Sequence, residues 1–79
     1  MNRAINVIVV KDSVVYEVDS FGIEVDEFSD EVVELAENKF TEKSLSYGAN
    51  KDDIGEYLEN GYFLNPITNI SVNLIWTYF

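Results

Sequence analysis

Hydrophobic and polar positions alternate along this chain in ways that assign most of its length. Ile5 to Val10 is a nearly unbroken β-branched run, the pattern of a strand covered on both faces and central in a sheet. Lys11, Asp12 and Ser13 supply a turn. Val14 to Asp19 then alternates, with Val14, Tyr16 and Val18 on one face and Val15, Glu17 and Asp19 on the other, so the two segments make a hairpin. Ser20, Phe21 and Gly22 allow a second reversal or a bulge. After them Ile23 and Val25 alternate with Glu24 and Asp26, which predicts a short third strand at a sheet edge.

The period then changes to that of helices. Asp26 or Ser29 can cap a helix over about residues 29 to 45. Asp30 and Glu31 lie in its first turn, Lys39 and Lys43 near its end, and Val32, Val33, Leu35, Ala36 and Phe40 form its apolar stripe. Asn50 opens a second, shorter helix with a capping-box-like Asn-Lys-Asp-Asp. Ile54, Tyr57 and Leu58 give that helix its buried face, and Asn60 and Gly61 end it. Tyr62, Phe63 and Leu64 read as a connection packed on the core. From Ile70 the alternation returns, with Ile70, Val72, Leu74, Trp76 and Tyr78 on one face and Ser71, Asn73, Ile75, Thr77 and Phe79 on the other. The expected fold is α+β: a small, mainly antiparallel sheet, β-β-β-α-α-β along the chain, with both helices on one face.

At 79 residues this is one domain, near the lower limit at which a single core suffices, and Ile75 and Phe79 leave apolar groups on the sheet's far side. The chain is therefore a candidate for homodimerisation. Its 47% hydrophobic content and eleven aromatic residues are too high for a disordered acidic tail. It has no Cys and no secretory leader pattern, which gives an expected cytoplasmic location. No apolar run reaches the roughly 20 residues of a membrane span, and anionic lipid would repel so acidic a surface.

Charge changes the picture most. Between Lys11 and Lys39 stand Asp12, Glu17, Asp19, Glu24, Asp26, Glu27, Asp30, Glu31, Glu34 and Glu37, with no Lys or Arg among them. Elsewhere Glu42, Asp52, Asp53, Glu56 and Glu59 are matched in number by Arg3, Lys11, Lys39, Lys43 and Lys51, so the formal charge of -10 belongs to this stretch. Two like charges on one strand face, about 6.7 Å apart, repel by roughly 0.6 kcal/mol even at the dielectric of water. Solubility alone could be met by mixing signs.

Catalytic and cofactor chemistry finds little to work with. The chain has no His, which removes the usual base at neutral pH and every Ser-His or Cys-His nucleophile, and its four glycines are too dispersed for a phosphate loop. The acids do not follow the calcium-loop pattern. The aromatics lack the basic groove that single-strand nucleic-acid readers pair with them. The expectation is a protein that is not an enzyme, holds no cofactor or metal, and does not bind nucleic acid directly.

What the acids can form is rows: Glu17 with Asp19 and Glu24 with Asp26 on strand faces, and Glu27, Asp30, Glu31, Glu34 and Glu37 at helical i, i+3 and i+4 steps. In size, charge, lack of catalytic groups and the 12–38 stretch, the chain resembles the small acidic bacteriophage-encoded proteins that imitate DNA and block host DNA-binding or defence proteins, anti-CRISPR inhibitors among them. The resemblance implies a basic nucleic-acid-binding protein or complex as partner, in the cytoplasm of a bacterial host. The ten acids of the stretch would steer and orient, and Phe21 and Phe28 would supply short-range contact. The alternative is a structural or assembly protein acting through an apolar dimer or sheet-edge interface around Ile75, Trp76 and Phe79, with the acids only solubilising it.

Overall fold

The computed structural model describes residues 2–24 and 30–78, the side chains of Asn2, Ile23, Glu24 and Tyr78 excepted. Its elements are β1 (Asn2–Lys11), β2 (Val14–Glu24), α1 (Asp30–Ser46), α2 (Ile54–Asn60), β3 (Tyr62–Asn65) and β4 (Ile70–Tyr78), with a 3-10 turn at Lys51–Asp53 leading into α2. The strands form one antiparallel sheet in the order β2-β1-β4-β3, so the class is α+β and β1 is central, paired with β2 in a hairpin.

Register shows which side chains share a face, because residues directly opposite on antiparallel strands point the same way. Ile5, Val7 and Val9 of β1 stand opposite Phe21, Asp19 and Glu17 of β2 and opposite Trp76, Leu74 and Val72 of β4. Phe63 of β3 extends this face beyond Val72. Both helices cover it. Ala36 of α1 packs with Ile5, Phe40 packs with Val7, Val9, Phe63, Ile70 and Val72, and Tyr57 and Leu58 of α2 close the same cluster. The Tyr57 and Phe63 rings meet edge to face at 5.0 Å. Helix α1 therefore runs from the Ile5 end of the sheet toward the β1–β2 turn.

Four expectations need correction. Among the described residues there is no separate third strand: Ile23 and Glu24 continue β2, because Phe21 and Gly22 stay in register with Ile5 and Ala4 rather than turning. Val25 and Asp26, and the proposed caps Asp26 and Ser29, lie outside the described residues. The fourth strand is instead Tyr62–Asn65, read above as a connection, and the element order is β-β-α-α-β-β. Alternation along β2 is also broken, since the register passes from Glu17 opposite Val9 to Val15 opposite Val10 and leaves Tyr16 as a bulge. Val15 thus joins the face of Val18. Finally, Leu35 is 56% exposed, and the buried stripe of α1 is Ala36, Phe40 and Ser44 at i, i+4, i+8.

The ends are held by specific residues. Asp12 and Ser13 both take positive φ, 51° and 66°, the two-residue turn whose twist matches that of the strands it joins. Asn69 Nδ2 donates to Asp12 Oδ1 at 3.1 Å and ties this turn to the start of β4. Gly48 ends α1 at φ 101°, and a Cβ there would sit 2.7 Å from Asn65 Nδ2, which donates to the Tyr47 carbonyl.

Among the described residues Ser44 is the one fully buried polar residue, and its Oγ has no hydrogen-bond partner there. An unmet buried hydroxyl is destabilising, and alanine is the better helix former. Ser44→Ala is expected to raise the unfolding free energy by about 1 kcal/mol, seen as a higher urea midpoint at unchanged slope.

Candidate functional site

Apart from Asp12, the exposed carboxylates among the described residues lie on the helical layer. On α1, Asp30, Glu31 and Glu34 point to solvent, and Glu42 follows further along the helix. The spacing that buries Ala36, Phe40 and Ser44 turns these positions outward. On the adjoining turn and helix, Asp52, Asp53, Glu56 and Glu59 are exposed because Ile54, Tyr57 and Leu58 face inward. Asn50 fixes the start of this segment by accepting from the Asp52 N–H at 3.0 Å. Since α1 and α2 touch and pack on the same side of the sheet, the two sets form one acidic layer. Neighbouring acids three and four residues apart in it lie about 5 to 6 Å from one another.

The cations explain why this layer is not neutralised. Arg3 lies over the Trp76 ring at 6.0 Å and Lys11 over the Tyr16 ring at 5.9 Å, both on sheet strands. Lys43 turns inward to Glu17 at 3.2 Å. Within the layer, Lys39 pairs with Glu42 at 3.6 Å and Lys51 is exposed on the 3-10 turn. Among the described residues no ion pair involves Asp30, Glu31, Glu34, Asp52, Asp53, Glu56 or Glu59.

The other acids of the 12–38 stretch are placed elsewhere. Asp12 sits at the tip of the β1–β2 hairpin, occupied in the turn. Glu17 and Asp19 lie side by side on the sheet face under the C-terminal half of α1. Glu17 Oε2 accepts from Lys43 Nζ and, at 3.1 Å, from the Tyr47 hydroxyl. Glu37 is half-buried. Glu24 closes β2 with its side chain outside the description, and Asp26, Glu27 and Phe28 lie outside the described residues altogether. Phe21, named as a contact residue, is packed against the core, because it stands opposite Ile5 on the covered face.

No family model, curated protein or solved structure matches the chain. The site must be read from its own chemistry. Beside the acidic layer a cleft of about 200 Å³ opens where α1, α2 and β4 meet, lined by Ile5, Val33, Ala36, Leu58, Leu74 and Trp76, with Glu37 as its only charged group. That size suits a single side chain, since a cavity of about 150 Å³ admits a benzene-sized group. Among the described residues no three acids converge to hold a metal, and no helix is long and apolar enough to cross a membrane.

Glu17, Lys43 and Tyr47 form a pH-sensitive lock between β2 and α1. The hydrogen bond from Lys43, then that from Tyr47, holds the Glu17 carboxyl below its ordinary 4.5. The same bond to Glu17 holds Lys43 above 10.5, while burial first and the Glu17 bond second raise Tyr47 above 10.0. A lowered folded-state carboxyl stabilises above its unfolded pKa and loses that effect as pH falls through the folded value. Raised Lys and Tyr values stabilise below their unfolded pKa and lose the effect as pH rises through the folded one. Repulsion within the acidic layer eases on acidification and acts in the opposite sense, so the lock is visible as a difference. The stability advantage of the native chain over Glu17→Gln is expected to be level from about pH 6 to 9, to decline as pH falls from about 5 and be lost only below the lowered Glu17 value, and to fall again above about pH 10. Urea midpoints of both proteins across that range check this.

Proposed function

We propose that this chain is a protein-binding inhibitor that lays its acidic helical layer on the basic nucleic-acid-binding surface of a target protein, as a DNA mimic does. The observation that carries this reading is the joining of α1 and α2 into one carboxylate-lined layer while three of the five cations are engaged elsewhere. DNA attracts proteins through closely spaced anions whose counterions are released on binding, and rows of carboxylates offer a comparable field on a rigid support. The acids of α2 widen that field beyond the single stretch legible in the sequence. The apolar cleft beside Glu37 adds short-range affinity, for it can take the aliphatic stem of a partner's Lys or Arg while the carboxylate meets its charged end. A bacteriophage-encoded inhibitor of a host nuclease, nucleoid protein or CRISPR-type complex fits this description.

The test is capture from bacterial lysate on the immobilised chain at low salt, elution with a salt gradient, and challenge with duplex DNA. The expected result is retention of a basic DNA-binding protein that duplex DNA displaces and whose affinity falls at least about tenfold between roughly 50 and 200 mM salt. Affinity flat across that range, or indifference to DNA, overturns the reading.

A further inference from the structure

The sheet has a second face, and it is the opposite of the helical layer in character. Register places Ile8 and Val10 of β1, Val18 of β2, Tyr62 and Leu64 of β3, and Ile75 of β4 on it. Val18, Tyr62, Leu64 and Ile75 are 54, 45, 41 and 43% exposed. Among the described residues no element lies over this face, in keeping with a smallest dimension of 16 Å, enough for a sheet and one helical layer. By register this face carries one acid position, Glu24 opposite Asn2 at the end of β2, and no other charged residue among the described residues, in a chain carrying -10.

Its described Asn, Ser and Thr side chains bond within the sheet. Ser20 Oγ donates to Asn6 Oδ1 at 2.7 Å, and Asn6 Nδ2 donates to Thr77 Oγ1 at 3.1 Å and to the Ile75 carbonyl at 3.3 Å, a chain of bonds crossing β2, β1 and β4. Asn73 Nδ2 likewise donates to the Ile8 carbonyl at 3.2 Å and to Ser71 Oγ at 3.1 Å. Groups bonded within the sheet lose little when water leaves, so covering this face exchanges apolar surface for contact without stranding the bonded Asn6, Ser20, Asn73 and Thr77 atoms.

The geometry points to a second copy of this chain as the cover, the two sheets packed face to face about a two-fold axis. Three long strands and one short one at about 4.8 Å spacing, each residue rising about 3.3 Å, span roughly 20 by 30 Å. That footprint, on the order of 600 Å² per copy before side-chain relief is counted, reaches the lower end of what stable interfaces bury on each partner. Charge selects the occupant: a basic protein is drawn to the many acids of the helical layer, whereas the register gives this face a single acid position, Glu24 at the end of β2 opposite Asn2. Two copies joined here carry the acids of α1 and α2 on opposite outer surfaces, separated by both sheets. The pairing also leaves both acidic layers free for the proposed target.

Sedimentation equilibrium of the full chain tests this. The expected result is a mass approaching twice 9.0 kDa at roughly 100 µM. Association should strengthen as salt rises from about 50 to 500 mM, the reverse of the sign expected for target binding, because salt screens the repulsion between two acidic copies. Ile75→Asp and Val18→Asp, at exposed positions the fold does not depend on, should shift the dimer constant at least about tenfold toward monomer with far-ultraviolet circular dichroism unchanged, while Glu31→Gln should not weaken the dimer. A native chain that stays monomeric to about 1 mM, or a dimer indifferent to both sheet variants, overturns the proposal. Neither result bears on retention of a DNA-displaceable partner, so the two readings fail separately.

Discussion

Phe40→Ala is expected to remove most of the fold's stability. Phe40 is fully buried at the meeting point of Val7, Val9, Phe63, Ile70 and Val72, so one ring joins α1 to three of the four strands. Truncating a buried Phe costs about 3 to 5 kcal/mol, and a chain of 79 residues has roughly 4 to 12 kcal/mol in all. At about 4 °C or more per kcal/mol for a domain of this size, the thermal midpoint should fall by at least about 12 °C, or the cooperative transition should be lost. Leu35→Ala is the matched control. Leu35 is on the same helix but 56% exposed, and its loss should change stability by no more than about 0.5 kcal/mol. Differential scanning calorimetry of the two variants separates a core role from helix propensity. A Phe40→Ala protein melting within a few degrees of the native chain would show that α1 is not held by this contact.

The difference between those two residues also shows how far the sequence could be read. β1 and β4 were legible because each pairs a long β-branched or strictly alternating run with a buried face, and α2 because Asn50 and Gly61 mark its ends. Gly61 does adopt a left-handed conformation, φ 67°. β3 was not legible: among its four residues only Phe63 is buried, and four residues show no period. β2 was cut short because Ser-Phe-Gly looks like a turn, yet Phe21 finds Ile5 opposite it and Ser20 finds Asn6. Both contacts depend on β1, which local reading cannot see. Leu35 looked like core on hydrophobicity, and Ser44 did not, although Ser44 holds the buried position.

The candidate site was half legible for a related reason. Counting charges along the chain isolated the 12–38 stretch, but counting cannot say where the cations point. Five acids after Lys39 seemed balanced by five bases. In the fold, Arg3 and Lys11 lie over aromatic rings of the sheet and Lys43 is turned to Glu17, which leaves the acids of α2 to extend those of α1. Conversely Glu17 is withdrawn from the surface field by its partners. The i, i+3 and i+4 spacing of Asp52, Asp53, Glu56 and Glu59 opposite Ile54, Tyr57 and Leu58 was the available signal for the wider layer.

That division of the acids makes the second large effect specific. The double variant Glu31→Lys, Glu34→Lys is expected to weaken binding of the DNA-displaceable partner by about ten- to a hundredfold, while Glu17→Gln leaves it nearly unchanged. Each reversal removes an attraction and adds a repulsion, and exposed charge pairs are worth about 0.2 to 1 kcal/mol each; several such increments amount to roughly one to two decades. Folding should suffer little, because Glu31 and Glu34 are exposed and have no ion-pair partner among the described residues, and the unfavourable Lys in the first turn of α1 costs about 1 kcal/mol. New lysines beside Asp30 and Glu37 would relieve repulsion within the layer. The neutral pair Glu31→Gln, Glu34→Gln should fall between native and reversed affinities, with a shallower salt dependence than the native chain. Surface plasmon resonance at two salt concentrations reads both quantities, and most of the change should appear in the association rate, where long-range steering acts. If the reversed protein binds as tightly as the native one, the carboxylates of α1 serve only to keep the domain in solution, and they do not carry recognition of the target.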